Sequence, residues 1–537
     1  MNKAVNLLHQ YISNNQLDKA LLECKKLLKT YPKEIYLKKL LSHIYFLKDN
    51  YGPAIFESLE ILEIKPDDFD SINALGLYYL KQEEYEIAKH YINKAKSINS
   101  SHPAPYHNCG ELFIKKRLFN KAAEEIDKCI SLHEALSDNY KNYKSALIMR
   151  IDVFVALKEQ NSAIQFIEKY LSLGFDAELL LQLTQINKNS VNNDLIALCE
   201  EKTHTRSFKS SLEKYQELVP LYFILSNYYE KIDPVVSEKF YLKGNKEVFD
   251  IQRMSMINFQ RQVLRILDNY RDIKGEIINN QDKGKNNIFI VGMPRSGTTL
   301  TESLITANNE VFGAGELKSF YDLSYRYILD KDKHPDISNM SDVADKYIKR
   351  TNYFLNTFSK VADKLPNNYQ FIGHIRKFMP ASKIILILRD PWDLAVSLFK
   401  QRYVESISFS SSMFNIGIQI ANFEMFILYW QNEGVIDDRV LTINYENLVK
   451  NFEKHQITLY EFCNIKSEYE PAKREGFFAK TATMHQVQKK IYTDSVKKKD
   501  EFQSVKHEFV DAFYSQRDFW RSKKIIDIPN DYFGYNL

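Results

Sequence analysis

The sequence predicts an α-helical solenoid followed by an α/β domain with a central parallel sheet and a phosphate loop. Three observations carry this reading. Only 16 of the 537 residues are Gly and 14 are Pro, too few for a fold built on tight turns. Small, aromatic and Ala positions recur at a fixed interval through the first third of the chain. Further on, "NIFIVGMPRSGTTLTESLI" passes from an apolar run through a Gly-bounded turn into a helical pattern.

Composition narrows the function classes. Hydrophobic residues make up 44% of the chain, enough for a sizeable core and too many for a disordered protein. Basic and acidic residues nearly balance, 73 against 69, so charge does not call for a nucleic-acid partner. Cys24, Cys109, Cys129, Cys199 and Cys463 are far apart and odd in number. They fit neither a disulfide framework nor a zinc pattern, and buried thiols in a reducing compartment are expected. The start is amphipathic and no run of about 18 uncharged apolar residues occurs, so the expectation is a soluble, cytoplasmic protein without a membrane span.

The helical region comes first. Ala20, Ala54, Ala88 and Ala122 are spaced by 34, and Tyr11, Tyr45, Tyr79 and Phe113 keep the same interval, as do Ser42, Gly76 and Gly110. Pro32 and Pro66 do too. This period resembles the tetratricopeptide repeat, a helix-turn-helix unit. Small residues on the first helix let the second approach, the aromatic three residues on fills the gap, and Pro ends the second helix. A fifth unit around Ala163 follows an insertion of seven residues, which 137–143 could hold. Residues 178–210 are more degenerate, and 221–250 read as one more helix pair. The array could be scaffold, a homodimer interface, or a groove for a peptide or protein substrate. "DFD" (68–70) mimics a metal motif but falls at a repeat boundary and is assigned no metal.

The polar stretch 279–287 marks a change of character. The expected domains are a repeat array over 1–210, a further helix pair and connecting helix over 211–280, and the sheet domain over 281–537. Ile288 to Val291 suit a buried parallel strand, with a helix starting near Thr298. Strand, Gly loop and helix N-terminus form an anion cradle, because backbone N–H groups and the helix dipole face the same point. The spacing of Gly292, Gly297, Thr298 and Thr299 matches a nucleotide P-loop, except that Thr298 stands where that motif has Lys. Ordinary nucleoside triphosphate hydrolysis is therefore disfavoured. A second buried-strand run, Ile384 to Leu388, ends in Arg389; Asp390 and Pro391 then open a helix carrying Ser397. An Arg at a strand's C-terminal end can hold a phosphate with paired hydrogen bonds.

"PRSGTT" after a strand and "RDP" with a Ser eight residues after the Arg resemble the 5′-phosphosulfate and 3′-phosphate motifs of sulfotransferases, which use PAPS (3′-phosphoadenylyl sulfate) without the P-loop Lys or its Mg²⁺. "GAGEL" (313–317), "DKLPNNYQFIGHI" (363–375), "INYENLV" (443–449) and "TATMHQVQKKIY" (481–492) are similar to segments of the repeat-linked tyrosylprotein sulfotransferases. The resemblance implies that Arg295 grips the phosphosulfate with Ser296, Gly297, Thr298 and Thr299, and that Arg389 and Ser397 hold the 3′-phosphate. It implies Glu316 as the base and Lys364 as the contact to the sulfuryl group and leaving oxygen. Thr483 would replace an active-site Ser of the family, while His485 departs from an Asp there and could be an alternative base. Tyr445 would lie against adenine, and Lys497, Lys498 or Lys499 over the 3′-phosphate. Each residue also has a structural reading: Glu316 as a capping or surface carboxylate, Lys364 and the Lys run as solvated charges, Tyr445 as a strand-end Tyr. The acceptor is a hydroxyl on a peptide tyrosine, a carbohydrate or a small molecule. A repeat-based adaptor that binds nucleotide without catalysis is the competing class.

Overall fold

The structure is a computed structural model and describes residues 2–187, 190–205, 207–208, 210–251, 256–329, 339–403, 407–475, 477 and 501–535. Among them, fifteen α-helices precede the first strand. Contacts divide the chain into two compact units, Met1–Glu159 and Gln160–Leu537.

The first unit is built from helix pairs in the register of the repeat. Ile35–Leu47 packs on Tyr51–Ile64, Phe69–Lys81 on Tyr85–Ile98, and Pro103–Lys115 on Phe119–Ala135. Ala20, Ala54, Ala88 and Ala122 are all completely buried. The small positions do the work their size suggests. A Cβ on Gly76 would lie 2.8 Å from Ile92 Cγ1, and one on Gly110 2.5 Å from Ile126 Cγ1. Ser42 uses the same position for a hydroxyl that donates to Ala54 O at 2.8 Å. The expected insertion forms a 3₁₀ turn, Tyr140–Tyr143, after a helix of 17 residues where the preceding repeat has 14. "DFD" is a helix start: Asp68 accepts from Ser71 N at 3.1 Å, and Lys39 pairs with Asp68 and Asp70 at 2.8 Å each. All five cysteines are buried and none is in a disulfide.

The second unit opens with helices Gln160–Leu171, Ala177–Ile186, Asn193–Thr205, Ser211–Tyr229, Pro234–Ile251 and Met256–Ile273. A five-stranded sheet follows, with strands β1 (Asn287–Gly292), β2 (Val311–Gly315), β3 (Lys360–Asp363), β4 (Lys383–Leu388) and β5 (Val440–Asn444). Their order is β2-β3-β1-β4-β5, and every pair is parallel. All six residues of β1 are buried, as a strand covered on both faces requires. The chain leaves β1 toward β2 on one side and leaves β4 toward β5 on the other. The switch point therefore lies between β1 and β4, and a crevice opens at their carboxyl ends. Helix α1 (Thr298–Ile305) follows β1, and helix α2 (Pro391–Phe399) follows β4. Helix α3 (Met413–Asn432) is buried almost all round and is covered by α4 (Lys506–Lys523). Arg517 of α4 pairs with Glu424 at 2.9 Å, both side chains 1% exposed. No helix of the described residues is long and apolar enough to cross a membrane.

Candidate active site

The loop after β1 is shaped by three residues with positive φ: Gly292 at 153°, Arg295 at 70° and Gly297 at 106°. Gly292 has no room for a side chain, since a Cβ would lie 2.7 Å from Ile387 O on β4 and 2.8 Å from Ser296 Oγ. Ser296 N closes the turn on Met293 O at 3.1 Å. The first N–H groups of α1 have no intrahelical acceptor and face the loop, an arrangement suited to an anion. Ser296 Oγ is buried and has no hydrogen-bond partner among the described residues, which also fits a phosphate oxygen as its missing partner. Thr298 and Thr299 are buried in the first turn.

The second motif meets the first at the crevice. Arg389, 4% exposed, donates from Nη1 to Arg295 O at 2.6 Å. Arg295 Nε donates to Ser397 Oγ at 3.1 Å. Tyr445, at the end of β5, lies under both: its ring is 4.5 Å from the Arg389 guanidinium, and a Cβ on Gly297 would come within 2.4 Å of its Cδ2. Asp390 caps α2 by accepting from Trp392 N and Asp393 N at 2.9 Å each, while its own N–H donates to Glu446 Oε1 at 3.0 Å. Arg295, Arg389, Ser397 and Tyr445 thus form one cluster, although the sequence presents them as separate motifs.

Glu316 and Lys364 sit at the ends of the neighbouring strands β2 and β3. Lys364 Nζ donates to Glu316 Oε1 at 2.6 Å; the Lys side chain is 1% exposed and the Glu 40%. The turn carrying Glu316 is held on both sides. Gly315 N donates to Glu302 Oε1 at 2.9 Å, Leu317 N to Asp363 Oδ1 at 3.3 Å, and Lys364 N to Gly315 O at 2.8 Å. Asp363 also accepts from Tyr347 Oη at 3.0 Å. Glu302 and Asp363 are fully buried. Neither was singled out from the sequence; the one available signal was a carboxylate inside an apolar pattern, "TLTESLI".

Thr483, His485, Lys497, Lys498 and Lys499 lie outside the described residues. Among the described residues no group of His, Cys, Asp and Glu side chains is placed to hold a metal ion.

Residues 287–471 match the model of the sulfotransferase family, and residues 69–102 match the tetratricopeptide repeat. An uncharacterized protein of Aquifex aeolicus (strain VF5) is 29% identical over 235 residues, a stretch covering 40% of this chain and 30% of that protein. Among solved structures, the sulfotransferase domain of the Synechococcus PCC 7002 olefin synthase aligns at 15% identity and a TM-score of 0.29, covering 47% of this chain and 100% of that one. Sulfotransferase STF9 of Mycobacterium avium aligns at 13% and 0.28, covering 63% and 97%. TTC0263, a thermophilic tetratricopeptide protein of Thermus thermophilus, aligns at 14% and 0.31, covering 34% and 97%. The chain therefore joins a tetratricopeptide-type helical region to a domain, residues 287–471, that matches the sulfotransferase family.

Proposed function

We propose that the protein is a PAPS-dependent sulfotransferase acting on a hydroxyl acceptor. One observation carries the reading: the Arg295–Arg389–Ser397–Tyr445 cluster meets an anion-binding helix start, with the Glu316–Lys364 pair on the adjoining strand ends. Two anionic groups carried by one ribose, the 5′-phosphosulfate and the 3′-phosphate, would explain why two Arg motifs converge there.

In this reading Ser296, Gly297, Thr298 and Thr299 bind the 5′-phosphosulfate, and Arg389 with Ser397 holds the 3′-phosphate. Tyr445 supports the adenine end. Glu316 takes the acceptor's hydroxyl proton as that oxygen bonds to sulfur. The bond from sulfur to the bridging oxygen breaks, and its electron pair stays on the 3′-phosphoadenosine 5′-phosphate (PAP) that leaves. Lys364 and Arg295 offset the charge on the equatorial and leaving oxygens, the main demand in a loose transfer. These cations fill the role a metal has in P-loop enzymes, so transfer should not need one. Thr483 would add a hydroxyl donor, and Lys497 or Lys498 would cover the 3′-phosphate. The resemblance to tyrosylprotein enzymes supports a peptide tyrosine as acceptor; the same chemistry serves a carbohydrate or a phenol. The repeats would bind such a peptide or assemble a homodimer.

Calorimetry with PAP tests the nucleotide half. Arg389→Ala should weaken PAP by about 10-fold or more, from loss of charge-assisted hydrogen bonds, and ATP should bind far more weakly than PAP. Equal affinity for ATP and PAP would exclude the 3′-phosphate assignment. Glu316→Ala should keep PAP affinity while transfer from radiolabelled PAPS to a panel of peptides, glycans and phenols drops about 10²–10⁴-fold. Unchanged transfer would remove Glu316 from the role of base.

A further inference from the structure

Past Ser397 the chain leaves α2 through residues 400–403, and this short segment is tied down at Phe399, Lys400 and Arg402. Asn245 Nδ2 donates to Phe399 O at 2.8 Å in a buried contact. Lys400 pairs with Glu230 and, at 2.7 Å, with Glu501. Arg402 makes a two-pronged pair with Glu178, Nη1 to Oε1 at 3.0 Å and Nη2 to Oε2 at 2.8 Å, with side chains 9% and 14% exposed. A fork of this kind fixes direction as well as distance.

What this anchoring presents is Tyr403. Its hydroxyl is buried and has no hydrogen-bond partner among the described residues. Leaving such a group unsatisfied is unfavourable, and a ligand oxygen or a water is the natural partner for a donor kept in this position. The charges acting on the phenol are those of Arg295 and Glu316. The phenol therefore lies within the electrostatic influence of both the residue assigned to the phosphosulfate and the residue assigned as base, six residues past Ser397 on the same chain segment. Burial first, then Glu316, pushes the phenol up from its usual range, while Arg295 works the other way. A phenol in that setting keeps its proton and can only donate toward an anion.

We propose that Tyr403 completes the sulfuryl end of the site, its hydroxyl donating to an oxygen of the transferred group. The inference rests on the sulfotransfer reading above and extends it to a residue outside the recognised motifs. Arg402 and Lys400 are positioning residues for it, since the pairs they make aim the segment without reaching the ligand. A preset donor costs no reorganisation when charge builds on the sulfuryl oxygens.

The test uses Tyr403→Phe, which removes one oxygen and keeps the ring, in the full-length protein. PAP and PAPS differ by the sulfuryl group alone, so calorimetric Kd values for the two separate the sulfuryl end from the nucleotide. The expected result is a PAP Kd within about twofold of wild type and a PAPS Kd raised about tenfold, as for loss of one hydrogen bond to a charged group. The thermal midpoint should stay unchanged. Equal, wild-type affinity for both ligands would overturn the assignment, and so would equal weakening of both, which would place Tyr403 at the nucleotide. A wild-type protein that binds neither PAP nor PAPS would instead remove the sulfotransfer reading itself.

Discussion

Glu302 shows how one residue can serve two parts of a site. It lies on α1, the helix whose first turn forms the anion cradle, and its carboxylate accepts the Gly315 N–H beside Glu316 at 2.9 Å. Gly315 has φ 67°, so the turn is held in a conformation that needs both glycine and an outside acceptor. Glu302→Ala should therefore leave PAP affinity near wild type and lower sulfuryl transfer from PAPS by about tenfold or more, as expected when a catalytic group drifts from its place. Glu302→Gln keeps an acceptor oxygen and should recover most of the loss. A Gln variant as poor as Ala would count against the positioning role. Residues of this kind are hard to see in a sequence. Arg295, Arg389 and Ser397 stand out because phosphate chemistry limits what can occupy a strand end or a helix start. Glu302 and Asp363 bond to backbone 13 and 46 residues away, and no local pattern records such a partner. Tyr403 was missed for the same reason: an aromatic in "KQRYV" looks like any other until its hydroxyl is found buried.

At the scale of elements, legibility follows period and length. The repeat helices were readable because several positions agree over 34 residues, and the structure shows why those positions are small. In Pro103–Lys115, a Cβ on Gly110 would meet Ile126 Cγ1 at 2.5 Å, inside a fully buried contact. Gly110→Ala should therefore destabilise by about 1–3 kcal/mol through overpacking, overriding the gain of up to about 1 kcal/mol that Ala brings to a helix. Gly52, with nothing within 4 Å of its would-be Cβ, is the control and should hold or gain stability as Ala. Urea unfolding followed by circular dichroism checks both; a Gly110→Ala protein as stable as wild type would contradict the packing argument. Strands β1 and β4 were legible as apolar runs. By contrast, β2 and β3, "VFGAG" and "KVAD", have five and four residues. The first ends in glycines and the second in a buried Asp, so neither shows the alternation or apolar run that marks a strand. Their functional residues were identified only through the resemblance of the surrounding segments.

For the whole molecule, the change from helices to sheet near residue 287 and the division by contacts at Glu159/Gln160 answer different questions. The first marks where secondary structure changes class; the second marks where packing thins. Helices between them are bound into the sheet domain. Glu178 and Asn245 anchor the segment around Arg402 and Phe399. Tyr270, on Met256–Ile273, packs edge-on against the fully buried Trp430 with ring centroids 5.0 Å apart. Close packing reaches Gly373, where a Cβ would lie 2.4 Å from Trp430 Cζ3 and 2.8 Å from Tyr270 Cε2. Removing these helices would expose Trp430 and leave Arg402 without its carboxylate, and a stranded buried charge alone costs about 3–5 kcal/mol. A fragment of residues 160–537 should accordingly stay monodisperse and bind PAP with full-length affinity, whereas 281–537 should aggregate or lose binding. Size exclusion and calorimetry on the two fragments decide it. If 281–537 binds PAP as tightly as the whole chain, the helices before the sheet do not shape the nucleotide site; if it also binds PAPS as tightly, the anchoring of residues 400–403 has no functional consequence. If only 160–537 binds, the last helices before the sheet are structural parts of the transfer site, and the first unit is left free for acceptor recognition or assembly.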